Sequence, residues 1–419
     1  MSTSPADAVD RSYILEMTKD LVNIPSSTGQ EAEAVQYYAG RLQELGLEVE
    51  FQEVEADRSN VIARYRGTGG GKNVLLCGHF DTSTTPADAV SGSGHAPSYV
   101  EEGGWAYGLG ISNMKNALAI YAGATRAIID SKTPVKGDIV IGAVIGEIEK
   151  APVDKYTGKD YRGAGSGVRY MLHHGVTADV CINGEPTGMR LQLGNTGYIF
   201  ARITTKGVPS HTYSKHTGID AIAKMEALLP KIRKWEETYQ KRHPHPIMLP
   251  LIGVGAIEGG FPFKPSICPA PFCHLYIHIT TIPGTKPMTV YRELEEVLKE
   301  QAAKDPELEW EIKFYMASDG YEVPDSSPVA RAIQKSHREV FGQDVIYPEP
   351  ARYAVSSDCS PIFQYGIPGV TYGAGGITPS GVYSMYDGAK GEVLGLDNLH
   401  KMTQSYAVAL ADLCNQPPD

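Results

Sequence analysis

The sequence predicts an α/β protein: a mainly parallel sheet with helices on both faces, interrupted by a smaller inserted α+β domain. Strand-like apolar runs recur at NVLLCGHF, GDIVIGAVIG and ADVCING, with the helical stretches NALAIYAGATRAIID and GVRYMLHHG between them. Such alternation is the pattern of a parallel sheet covered by its crossover helices. After Gly194 the texture changes to an alternating strand, a long helix, and then strand, helix, strand again. A chain of 419 residues has room for two domains, each with its own core.

In chain order, SYILEMTKDLVNIPSS has helical spacing and ends at Pro25, and EAEAVQYYAGRLQELGLEVEFQEV reads as a helix, a break at Gly46 and a strand. The three buried strands and their helices follow. YIFARITTKG then opens the insertion, GIDAIAKMEALLPKIRKWEETYQKR is its long helix, and CHLYIHITTI, YRELEEVLKEQAA and EWEIKFYMA complete it. SPVARAIQKSHREVFG, GIPGVTYGAG and LDNLHKMTQSYAVALADL return the chain to the first domain. The expected division is 1–194 and 321–419 as one domain around an inserted domain at 195–320. The proline-rich HPHPIMLPLIG reads as a lid loop, with His243 and His245 on its surface, whereas His274 and His278 share one strand face and are expected to pack inside the lid.

Composition excludes several classes. A formal net charge of −11 with scattered basic residues argues against a nucleic-acid or anionic-membrane partner. No stretch approaches membrane-spanning length, and the polar opening MSTSPADAVDRSY lacks an apolar core followed by a small-residue cleavage site, so a cytoplasmic location is expected. Six cysteines without a C-x-x-C pair give neither a zinc ribbon nor a thioredoxin-like motif.

The chemistry concentrates at strand ends. In NVLLCGHFDT, His79 and Asp81 stand two apart and share a face, as a metal ligand and its orienting carboxylate do. H-x-D alone is ordinary for a loop at a strand end; the other segments give it meaning. GISNMKNALA places Asn113 at the start of a helix, GAVIGEIEKAP sets Glu147 after a strand, and CINGEPTG sets Glu185 after another. Polar groups at several strand ends of one sheet converge on a crevice.

With these motifs in this order, the chain resembles the aminoacylase, acetylornithine deacetylase and succinyl-diaminopimelate desuccinylase family of metallopeptidases, over essentially its whole length. The resemblance implies a zinc-peptidase-like catalytic domain in which His79 ligates a metal with Asp81 behind it. It also makes Glu147 the general base, Glu185 a ligand to the same metal as His79, and Asn113 the position of a carboxylate that bridges two metals. His211, in GVPSHT, matches the family's oxyanion-stabilising histidine, which usually reaches across a dimer, so a homodimer or larger homo-oligomer is implied.

Three departures strike the same second metal. Asn113 replaces the bridging aspartate, Ile148 the glutamate expected after the base, and Gly388 the histidine expected four residues before Glu392. An amide offers one neutral oxygen where a carboxylate offers two anionic ones, so two adjacent cations would lose their main charge compensation. The expectation is one labile divalent ion per subunit, manganese or zinc, on His79, Asn113 and Glu185, with Glu149 or Asp387 as alternative rescues of a second site. The lid also has His278-Ile-Thr280 where the family has D-x-R, which removes an arginine used for peptide carboxylates; Arg352, near the family's late Ser-Asp motif, is the replacement considered.

One open-site metal beside a glutamate supports hydrolysis of a carbon–nitrogen bond. The departures most resemble a branch of the family that removes a ring amine from a small anionic aromatic substrate. An N-acyl amino acid amidohydrolase or dipeptidase, and an inactive ligand-binding relative, stay open beside it.

Overall fold

The computed structural model describes residues 4–83, 91–354 and 356–418, apart from the side chains of Arg352 and Ala354. The chain divides into two compact units: residues 1–194, 322–348 and 357–419, and residues 195–321 with 349–356. The segment Glu349–Ser356 therefore groups with the second unit, whereas the sequence reading left it with the first.

The first unit is built on a six-stranded sheet in the order Glu48–Glu55, Arg58–Tyr65, Ile139–Val144, Val74–His79, Val180–Asn183, Gly369–Thr371. The last four are mutually parallel, and an antiparallel hairpin forms the other edge. Every residue of Val74–His79 and Ile139–Val144 is buried, the outcome expected of uninterrupted apolar runs in a sheet covered on both faces.

Two glycines show the covering. Cys77 pairs with Gly142 and Gly78 with Ala143, so Gly78 and Gly142 lie on opposite faces. A Cβ on Gly78 would stand 2.9 Å from the Met114 methyl and 3.1 Å from the Tyr121 ring, and one on Gly142 would stand 2.6 Å from the Met171 sulfur. Helix Asn116–Asp130 thus presses on one face and helix Ser166–His173 on the other, each too close for a larger side chain. Helix Asn116–Asp130 also packs against Arg11–Asn23 and Leu396–Leu413.

The second unit is a four-stranded antiparallel sheet, in the order Ile252–Gly259, Phe272–Thr281, Gly197–Lys206, Glu309–Ser318, with helices Ala221–Arg242 and Pro287–Ala302. Strand alternation sends Ile199, Ala201, Ile203, Leu275, Ile277 and Ile279 into one core with Leu228, Ile232 and Leu294 of the helices. His274 and His278 have the opposite parity and lie on the other face of the sheet, half-buried against lid residues: His274 bonds Thr204 Oγ1 at 2.9 Å and the His278 ring meets Phe200 edge-on. His243 is not the surface residue expected. It is buried and its Nε2 lies 2.7 Å from Glu293 Oε1, tying the end of one helix to the other. His245 Nδ1 accepts the N–H groups of Ile247 and Met248, which folds the proline-rich segment. Among the described residues, no helix is long and apolar enough to cross a membrane.

Candidate functional site

Four parallel strands end at the same edge of the first unit's sheet, and three of them deliver a side chain to one point. His79 closes its strand, Glu147 follows Ile139–Val144, and Glu185 follows Val180–Asn183. Their ligating atoms all lie within 4.8 Å of one another, and all three residues are buried. His79 Nε2 is 3.3 Å from Glu185 Oε1, 3.5 Å from Glu147 Oε2 and 3.1 Å from Asn113 Oδ1. The four residues expected at the centre from sequence are therefore brought together.

Asn113 reaches this point from a wide helical turn, Ile111–Lys115, that precedes helix Asn116–Asp130; its own backbone is extended rather than helical. Glu392 holds that turn, its Oε2 accepting the N–H groups of Ser112 and Asn113, both at 3.0 Å. Tyr121 aligns two of the strand ends, because its hydroxyl donates to Cys77 O at 2.5 Å and accepts from Gly184 N at 2.7 Å.

Asp81 acts differently from a simple orienting carboxylate. The shorter contact to His79 Nδ1 comes from the Asp81 main-chain carbonyl, at 2.9 Å, and its carboxylate is 3.5 Å away. The carboxylate accepts from Thr28 Oγ1, Glu147 N and Ile148 N instead, at 3.0, 3.0 and 3.1 Å. It fastens the loop that carries Glu147 to the end of the strand that carries His79.

The electrostatics are those of a cation site. Burial opposes charge on the His79 ring, yet Glu147, Glu185 and Asp81 outweigh it and push the imidazole well above its ordinary value. Burial and the neighbouring Glu185 push the Glu147 carboxyl well above the ordinary carboxylate range, against the pull of His79. Glu185 Oε1 is buried without a hydrogen-bond donor. An imidazole nitrogen, two carboxylates and an amide oxygen around an undonated buried oxygen fit a divalent metal.

Two further carboxyls were not singled out from sequence. Asp358 is buried, and burial with the repulsion of Glu185 and Asp81 lifts it to about 7 against the attraction of His79. Glu392 is also buried and is pushed up to about 7 by burial, against three backbone N–H groups that favour its charge. The SSDCSP motif and the residue four after Gly388 were visible in the sequence, but nothing local marks either as facing the strand ends.

The proposed rescues are not in the cluster. Glu149 is exposed, and Asp387 accepts a hydrogen bond from the Tyr107 hydroxyl at 2.9 Å. His211 belongs to the second unit, on an exposed loop bridged to Ile267, with its ring 4.9 Å from that of Tyr213. The side chain of Arg352 lies outside the described residues.

Comparison with known proteins places this geometry. Residues 75–412 match the model of peptidase family M20/M25/M40. Acetylornithine deacetylase from Edwardsiella ictaluri is 28% identical over 308 residues, covering 71% of this chain and 73% of that protein. The fold matches a dipeptidase from Saccharomyces cerevisiae with a TM-score of 0.75 at 12% identity over 100% of both chains. It also matches a dinuclear metal-binding M20 peptidase from Bacillus subtilis, with a TM-score of 0.65 at 14% identity over 96% of this chain and 97% of the other. With the family match spanning most of the sequence and the ligand cluster at its strand ends, the chain belongs to peptidase family M20/M25/M40 and is a metal-dependent hydrolase.

Proposed function

We propose that this hydrolase removes the ring amine of a small anionic aromatic substrate, converting 5-nitroanthranilate and water to 5-nitrosalicylate and ammonia. The observation that carries the reading is Asn113: an amide oxygen stands 3.1 Å from His79 Nε2 where a metal-bridging carboxylate is expected. A neutral oxygen there suits one divalent ion, manganese or zinc, held by His79, Asn113 and Glu185, rather than the pair described for the Bacillus subtilis peptidase. When bound, the ion supplies Lewis acidity at the reacting centre.

The chain's own groups supply the rest. Glu147, 3.5 Å from His79 Nε2, takes the proton of the attacking water and returns it to the departing nitrogen. Water adds to the amine-bearing ring carbon, the para nitro group takes up the negative charge, and ammonia leaves as the ring recovers. Asp81 fixes the position of Glu147 through the main chain. In this reading residues 1–194, 322–348 and 357–419 form the catalytic unit, and residues 195–321 with 349–356 form a lid and dimerisation unit that carries His211, the residue matched to the family's oxyanion-stabilising histidine.

A second reading, hydrolysis of an N-acyl amino acid or dipeptide, is favoured by the likeness to acetylornithine deacetylase. The test is ammonia release from 5-nitroanthranilate by metal-stripped protein with and without added manganese or zinc, beside a panel of N-acyl amino acids and dipeptides. Metal-dependent ammonia release is expected. Turnover confined to the acyl and peptide panel would replace the first reading by the second.

A further inference from the structure

The strand-end loops of the first unit carry a cation that the ligand cluster does not use. Five residues after Glu185, Arg190 stacks on the Tyr383 ring, its guanidinium carbon 4.3 Å from the ring centroid. Among the described residues its hydrogen bonding is a single long contact to Gly188 O at 3.5 Å, and no acidic side chain there forms an ion pair with it.

Its position is set by the same backbone that sets the ligands. Gly188 N donates to Gly375 O at 2.6 Å and Met189 N to Gly373 O at 2.8 Å, joining the Glu185 loop to the loop after Gly369–Thr371. Gly376 N in turn donates to the hydroxyl of Ser112, next to Asn113, at 3.1 Å. The guanidinium lies over this seam: a Cβ on Gly188 would be 2.9 Å from Arg190 Nη1, 3.1 Å from Gly376 O and 3.4 Å from the Tyr383 ring. Gly188 and Met189 both take left-handed backbone, with φ of 59° and 63°. For methionine that conformation is unfavourable, and a tight turn that keeps it is held by its surroundings. The result is a planar, permanently charged donor laid flat on an aromatic ring, with most of its N–H groups unspent, where the loops bearing Asn113 and Glu185 meet.

We propose that Arg190, positioned by Tyr383, is the specificity-determining residue that takes the carboxylate of the substrate. The guanidinium fork matches a carboxylate in two parallel hydrogen bonds, and stacking on Tyr383 keeps the fork oriented before the substrate arrives. This supplies the carboxylate recognition that the lid sequence lacks. The inference deepens the deamination reading and rests on it for the aromatic substrate, while the carboxylate subsite is testable apart from turnover.

The experiment measures equilibrium binding of 5-nitroanthranilate and of its neutral counterpart 5-nitroanthranilamide to the manganese-loaded protein carrying Glu147→Gln, which keeps the substrate from being consumed, and to the same protein with Arg190→Met, Arg190→Lys or Tyr383→Leu added. Expected is a Kd for the carboxylate at least about tenfold weaker in R190M, with R190K and Y383L intermediate and the amide unchanged throughout. Both ligands keep the nitro group, so equal weakening of the two in R190M would mean that the arginine holds the nitro group or the fold, and would overturn the inference. Failure of the parent to prefer carboxylate over amide would overturn it as well. This binding pattern, together with no ammonia release from the protein that keeps Glu147, would uphold Arg190 and defeat the deamination reading. Where turnover occurs, the same substitution raises KM more than it lowers kcat.

Discussion

Asp81 Oδ1 accepts the main-chain N–H of Glu147 at 3.0 Å, so a residue two positions from His79 sets where the candidate base stands. The same carboxylate takes the N–H of Ile148 and the hydroxyl of Thr28. Loss of it strands three donors in a buried place. Asp81→Ala is expected to lower stability by about 3 kcal/mol or more, since each stranded donor costs about 1–3 kcal/mol. Urea denaturation checks this, and a loss below about 1 kcal/mol would show that Asp81 is dispensable to the fold.

Glu147→Gln keeps the size of the side chain and removes its basicity. Turnover is expected to fall at least about 100-fold. Metal retained after dialysis should change little, because His79, Asn113 and Glu185 are left in place. Turnover near the parent's would remove Glu147 from the proton-transfer role.

Asn113→Asp restores an anionic oxygen pair beside His79, where Asn113 Oδ1 now stands 3.1 Å from Nε2. The variant is expected to bind divalent metal at least about tenfold more tightly, because a second carboxylate adds charge to the ligand set. Elemental analysis after dialysis reads both occupancy and stoichiometry. Unchanged retention would place Asn113 outside the ligand set.

His337 gives a pH dependence remote from the ligands. It is buried, its Nδ1 shares a hydrogen bond with the Tyr372 hydroxyl at 2.7 Å, and burial holds its pKa below the ordinary 6.5. A histidine depressed on folding contributes stability above its unfolded value, and that contribution is lost as pH falls through the folded value. His337→Gln should therefore lose less stability than the parent between about pH 7 and about pH 5, measured by denaturation at each pH. Parallel losses in the two proteins would rule His337 out as the source.

Much of the architecture was legible because it rests on short-range pattern. The uninterrupted runs ending at His79 and near Glu147 had to be buried on both faces, and the change after Gly194 announced a unit of another kind. Glu185 was legible for the same reason, as a polar residue following an apolar strand in a parallel sheet. Asp358 and Glu392 were not, because each reaches this point from a segment distant in sequence from His79, Asn113 and Glu185, and only pairing of strands and loops brings it there. His243 shows the opposite error: prolines around it suggest an exposed loop, whereas Glu293 of another helix draws it in.

By itself the sequence determined the fold class and the polar residues at the strand ends, since strand periodicity and residue chemistry are local properties; that Asn113 stands where a carboxylate is expected rests on the family resemblance. Only the tertiary structure decided that Asp81 holds Glu147 through its backbone, that Glu392 holds the Asn113 turn, and that Arg190 lies on Tyr383 where three loops are joined. Those relations depend on which distant segments share a hydrogen bond or a ring contact, and a one-dimensional pattern does not carry that information.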